Sequence, residues 1–207
     1  MAYNQFTLAR VQADFGIAVQ TRTNLFASFS PVPVDPLLRT LLKRQEPLAM
    51  AVNTEKVRSE LLIAPILTEV WRLGNDRVAM FSGTRFDVDE AAGLVGICDF
   101  LLGRPPQLHY VTAPVMMIVE AKNEDIAGGL GQCAATMVAG QRFNQKFNPD
   151  IPTMYGAVTD GGEWKFLRLN DRTLEIDLTD YRINQPAAIM GILLHLVGLS
   201  PANSAAA

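Results

Sequence analysis

Val115-Met116-Met117-Ile118-Val119-Glu120-Ala121-Lys122, followed at once by Asn123-Glu124-Asp125, decides how this chain is read. Its five leading apolar residues, β-branched and Met-rich, predict a strand buried on both faces. Strand side chains alternate, so Glu120 and Lys122 emerge on one side while Ala121 points to the other and keeps packing. A carboxylate and an ammonium are thereby held side by side at the end of a buried strand. Charges in such a place must be paired or used, because burying them alone is costly.

Working outward, Gly128-Gly129-Leu130-Gly131 leads from this strand into a helix expected over about Leu130–Phe147. Gln132, Ala139 and Lys146 share one of its faces, with Ala135 and Phe143 close by. The small residues suit either ordinary helix–sheet packing or the close approach of a ligand. Met154–Val158 reads as a strand and Thr159-Asp160-Gly161-Gly162-Glu163 as a hairpin turn. Trp164–Leu169 is the return strand, and residues 173–178 alternate as an edge strand. An apolar helix is expected from about Pro186 to Leu199, then a frayed tail from Ser200.

On the other side, Val78–Ser82, a turn at Gly83, Thr84–Val88 and Gly93–Gly103 complete a meander of strands, with Arg104-Pro105-Pro106 turning the chain. Asp99 interrupts an otherwise apolar strand. Before the meander, a helix from about Thr54 to Leu73 is closed by Gly74. At about 100° per residue, Glu55, Arg58, Glu69 and Arg72 fall on its wet face. Glu60 falls roughly opposite, among Val57, Ala64, Leu67 and Trp71, where a carboxylate needs a cation, a donor or a metal. A shorter helix starts at Asp35-Pro36 and runs to about Lys43, with Asp as N-cap and Pro in the first turn. The expected layout is α/β, a central mixed β-sheet flanked by helices. Residues 1–50 read as an N-terminal extension or lobe, 51–185 as the core, and 186–207 as a C-terminal helix and tail.

The 207 residues suffice to bury a core. No apolar run approaches the roughly 20 residues of a membrane span, and the first residues lack the basic and apolar regions of a secretory signal. Cys98 and Cys133 form no CxxC and have no nearby His, which suits free buried thiols and a cytoplasmic setting. A net charge of −3 announces no general affinity for nucleic acid, though a local basic groove or a basic partner remains compatible with it.

Glu60, Asp99 and Glu120 around one point would make a hard-oxygen site suited to Mg2+ or Mn2+. Lys122 beside it could orient or deprotonate a water and offset phosphoryl charge. Asp99, a gap of twenty residues, then Glu120-Ala121-Lys122 resembles the D…(D/E)-x-K signature of the PD-(D/E)XK nuclease superfamily, the restriction-endonuclease-like fold. Glu60 matches an extra acid that many members carry, and Gln132 a Gln on the following helix. Tyr155–Phe166 resembles the Thr-x-Gly-x-x-Trp hairpin of the nuclease domain of type I restriction enzyme R subunits. The resemblance covers about residues 54–170.

It implies a metal-dependent phosphodiesterase hydrolysing DNA. Asp99, Glu120 and the Ala121 carbonyl would hold Mg2+ or Mn2+, Glu60 would bind it directly or through water, Lys122 would serve the attacking water, and Gln132 would steady the site or contact substrate. A homodimer or a partner subunit would supply DNA affinity. The sequence departs from the pattern at Cys98, where the signature has Pro, and at Thr136, where the RecB-like group often has Tyr. The alternative is a catalytically silent binding or scaffold subunit on the same fold, the four charged groups forming a closed ion-pair network. Gly129-x-Gly131-x-x-Ala134 also invites comparison with a dinucleotide fingerprint. Its glycines stand too far from the strand end, and Glu124 and Asp125 would repel a pyrophosphate.

Overall fold

The computed structural model describes residues 2–104, 109–147 and 151–199. Along the chain, α1 (Leu8–Phe15), β1 (Ala18–Arg22) and α2 (Pro36–Val52) come first. A long helix follows in three parts: α3 (Glu55–Arg58), a π-turn (Ser59–Ile63) and α4 (Ala64–Gly74). β2 (Ala79–Arg85), β3 (Ile97–Gly103) and β4 (Val115–Ala121) form the antiparallel meander. The helix α5 (Ile126–Phe147) then connects β4 to its parallel neighbour β5 (Thr153–Thr159). β6 (Glu163–Asn170) and β7 (Thr173–Asp177) extend the sheet antiparallel, and β8 (Tyr181–Arg182) and α6 (Pro186–Leu196) complete the series.

Eight strands make one mixed sheet in the order β1-β7-β6-β5-β4-β3-β2, with β8 paired to β6. β4 lies near the middle with all seven residues buried, as its composition requires. Its alternation divides the protein into two cores. Met117, Val119 and Ala121 join Leu62, Ile66 and Leu193 on one face. Ile118 joins Cys133, Ala134 and Met137 of α5 on the other, as does Val115, where the pairing with β3 shifts register. The fold is therefore α/β with helices on both faces of a central mixed sheet. Among the described residues no helix is long and apolar enough to cross a membrane.

Several boundaries differ from the sequence expectation, each for a local reason. α2 continues past Lys43 to Val52 and accommodates Pro47. β2 passes through Gly83 without turning back. Gly83 takes a positive φ of 59° and is skipped in the pairing with β3, so the glycine serves an irregularity inside one strand. α5 begins at Ile126, before the glycines, and α6 stops at Leu196. β7 is not an edge strand, because β1 pairs with it in parallel over Ala18–Arg22. Residues 18–22 thus belong to the sheet rather than to a separate lobe. Most of the turn at 104–106 and the loop at 148–152, and the tail from Ser200, lie outside the described residues.

The helix at 54–74 shows the largest difference. Pro65 has no N–H for the Leu61 carbonyl, and its ring crowds that oxygen. The Ala64 N–H reaches back five residues to the Ser59 carbonyl, and a π-turn results. At 100° per residue Arg58, Leu62, Ile66, Glu69 and Val70 still share one face, so the buried side is set by the partners of Arg58 and Glu69 and not by the change of pitch. Arg58 and Glu69, expected on the wet face, are buried, whereas Glu60 and Trp71, expected in the apolar stripe, are exposed.

Where β4 begins, the buried Asn144 of α5 closes two hydrogen bonds on one residue. The Val115 N–H donates to Asn144 Oδ1 at 2.8 Å, and Asn144 Nδ2 donates to the Val115 carbonyl at 2.6 Å. Asn144→Ala should lower stability by about 2–4 kcal/mol, since each buried backbone group left unpaired costs roughly 1–3 kcal/mol. Urea denaturation measures this, and a loss below about 1 kcal/mol would show that the clamp carries little.

Candidate active site

The β3–β4 register pairs Phe100 with Val119, which sets Asp99 across from Glu120 at the C-terminal end of β4. Asp99 Oδ2 accepts a hydrogen bond from the Ala121 N–H at 2.9 Å. Glu120 has no exposure to solvent. Gln132 Nε2 of α5 donates to its Oε2 at 2.6 Å, and the Thr136 hydroxyl, one turn further on, donates to Oε1 at 3.3 Å. Thr136 occupies the position where the family pattern looks for Tyr. Its spacing of four from Gln132 was the sequence signal for a second donor on the same helix face.

Lys122 follows on the same side as Glu120. Its backbone N–H donates to the Thr159 carbonyl at 2.8 Å, and its alkyl chain passes over Gly129. A Cβ at Gly129 would come within 2.8 Å of Lys122 Cγ and 2.7 Å of Val158 Cγ1. At Gly131 it would come within 2.4 Å of the Phe6 carbonyl oxygen. The two glycines lie inside α5 and admit a lysine and a passing backbone, which accounts for them without a dinucleotide.

The electrostatics follow from this placement. Burial pushes the Glu120 carboxyl well above the ordinary glutamate range. The charge of Asp99 raises it further, the positive charge of Lys122 opposes the rise, and a protonated Glu120 donates a hydrogen bond to Asp99. Beside the pair lies an open cleft of about 160 Å³, lined by Glu55, Lys56, Ser59, Ser82, Asp99 and Ala121.

Asp99, Glu120, Lys122 and Gln132 are thus brought together. Glu60 is not: it is exposed, pairs with Lys56 at 3.0 Å, and lines a different groove. The helix acid on the cleft is Glu55, one turn before Ser59 and on the same helix face. Among the described residues, no three Asp, Glu, His or Cys side chains gather as a metal-binding group. Of the two adjoining carboxylates only Asp99 lines the cleft; Glu120 has no exposure to solvent and both its oxygens accept hydrogen bonds. Ala121 stands at the lip of the cleft beside them.

A buried arginine that the sequence assigned to solvent fixes the surroundings. Arg58 donates to Asn53 Oδ1 at 2.9 Å, to the Asp160 carbonyl at 2.9 Å and to Asp160 Oδ2 at 3.1 Å. Asn53 in turn donates to Glu124 at 2.6 Å and accepts from Asn123 at 3.0 Å. The loop after Lys122, the β5–β6 turn and the α2–α3 junction are held as one piece. A run of alternating charges on a helix gave no hint that one of them goes inside.

No protein-family model matches the chain, and no curated protein matches it.

Because the folded carboxyl of Glu120 titrates above its unfolded value of about 4.5, native and unfolded chains are both protonated at low pH. As pH rises past that value, the unfolded chain ionises first and stability is lost until the folded carboxyl also ionises. In metal-free buffer, Glu120→Gln should therefore gain stability relative to wild type as pH rises from 4.5, with the difference becoming constant at lower pH. Denaturation midpoints measured across pH test this, and a pH-independent difference would contradict it.

Proposed function

We propose that the protein is a metal-dependent nuclease of the PD-(D/E)XK kind that hydrolyses phosphodiester bonds in DNA. One observation supports the reading: Asp99 adjoins the buried Glu120 at the end of the most buried strand, near the charge of Lys122, and itself lines a cleft open to solvent. The carboxylates of Asp99 and Glu120 would hold Mg2+ or Mn2+, with the Ala121 carbonyl beside them. The metal would polarise a phosphoryl oxygen and lower the pKa of a bound water.

The remaining roles belong to the chain. Gln132 and Thr136 orient the Glu120 carboxylate, and Asp99 is oriented by the Ala121 N–H. Lys122, held against Gly129, would orient the attacking water and offset phosphoryl charge. Glu55 and Ser59 face the cleft from the helix side. Since acids outnumber bases in the chain, a homodimer or a partner subunit would supply much of the affinity for DNA.

The donors already satisfying Glu120 favour a second reading, a silent scaffold on the same fold. A carboxyl paired with Gln132, Thr136 and Asp99 is stable without a metal. Two measurements separate the readings. Cleavage of mixed single- and double-stranded DNA with Mn2+ should be lost, by about 100-fold or more, in both Asp99→Ala and Lys122→Ala. Mn2+ should also raise the melting temperature of wild type but not of Glu120→Ala. Retained cleavage in Asp99→Ala would remove that residue from the mechanism. Absence of any metal-dependent stabilisation would favour the scaffold.

A further inference from the structure

α2 and the α3–α4 helix form an antiparallel hairpin. Arg72 meets Asp35 at one end, and Arg58 bonds Asn53 at the other. Six of the ten large hydrophobic side chains exposed among the described residues lie on this hairpin: Leu37, Leu41, Leu48, Met50, Val52 and Trp71. Four of them form one line. At 100° per residue, Leu37, Leu41, Leu48 and Val52 fall within a 60° arc of α2, beside the arc that packs on the core through Leu38, Leu42 and Ala49. Leu37 is 76% exposed and Leu48 56%. Between this line and α4 runs a groove of about 490 Å³, floored by Leu38, Leu41, Ala64, Pro65 and Trp71. A second apolar stripe beside the one already used for packing is excess to the fold of a single chain.

The charges beside the stripe differ in sign from one flank to the other. On the α4 flank stands Glu60, held only by an exposed surface pair to Lys56. On the opposite flank stands Arg44, exposed and without an ion pair among the described residues. Since the hairpin is antiparallel, with Asp35 level with Arg72, Glu60 stands about one helical turn from the level of Arg44. Arg39 and Lys43 point to the far side of α2 and stay clear of the stripe.

We infer that this face is the seam of a homodimer, its occupant the same hairpin of a second copy related by a two-fold axis running along the helices. Such an axis lays apolar stripe on apolar stripe and sets the Arg44 flank of each copy against the Glu60 flank of the other. An axis across the helices would instead oppose like flanks, so the charge pattern selects one of the two arrangements. The exposed glutamate that does not reach the cleft acquires a partner in this way. The inference rests on the exposed surface alone and is independent of the proposed nuclease activity.

Sedimentation velocity of the full chain across the micromolar range tests it. Wild type should show a monomer–dimer equilibrium. Leu37→Glu with Leu48→Glu should weaken association roughly 30-fold or more while circular dichroism and melting stay unchanged, since both side chains lie outside the core. Arg44→Glu alone and Glu60→Arg alone should each weaken it, and the double variant should restore it. A wild type that stays monomeric, or single charge variants not rescued in combination, would overturn the seam.

Discussion

Withdrawing a carboxylate from water costs several kcal/mol before any partner is met, and Glu120 is withdrawn completely. The neighbourhood of β4 answers that cost from three directions. Gln132 and Thr136 reach it from α5, Asp99 reaches it from β3, and the charge of Lys122 follows along the same strand. None of these could be placed independently. The sheet register fixes Asp99, the helix period fixes Thr136 once Gln132 is placed, and strand alternation fixes Lys122. The packing of α5 on the sheet is thereby tied to the same carboxyl, and the two glycines of α5 let that helix approach closely enough for its donors to arrive.

The centre of the molecule was legible because its signals are local. A run of β-branched and Met residues specifies a doubly buried strand, and alternation then dictates which of Glu120, Ala121 and Lys122 face the same way. Asp99 could be found because an acid in an apolar strand has no innocuous position. The helix before the meander was misread because charge marked its wet face, and two of those charges, Arg58 and Glu69, are buried against partners. Arg58 and Glu60 exchanged environments in consequence. The burial of Arg58 depends on Asp160 and Asn53, and Asp160 lies a hundred residues downstream, beyond the reach of any sequence window. The cleft residues Glu55 and Ser59 were hidden for the same reason.

The α2–α4 hairpin gains coherence from this correction. Its inner side carries the apolar core and, at the cleft end, the buried guanidinium that fastens the loops around Lys122. Its outer side carries the uncommitted leucines. One helical pair therefore couples the geometry of the cleft to whatever covers the outer stripe, because Arg58 and the exposed line belong to the same rigid unit.

β1 has a consequence for how the chain is made. Arg22 of β1 and Glu175 of β7 are 153 residues apart in sequence yet joined by an ion pair, and Asp177 accepts hydrogen bonds from the Phe26 N–H and the Tyr181 hydroxyl. During synthesis, β1 leaves the ribosome long before the strand it must join exists. Until then its hydrogen-bonding edge has no native mate, and β7 on arrival finds its own place on β6 by a short hairpin. Parallel closure across so long a separation is slow compared with hairpin formation. A late event of folding should thus be the capture of β1 by β7, leaving the nascent chain a prolonged interval with a bare sheet edge for a chaperone to guard.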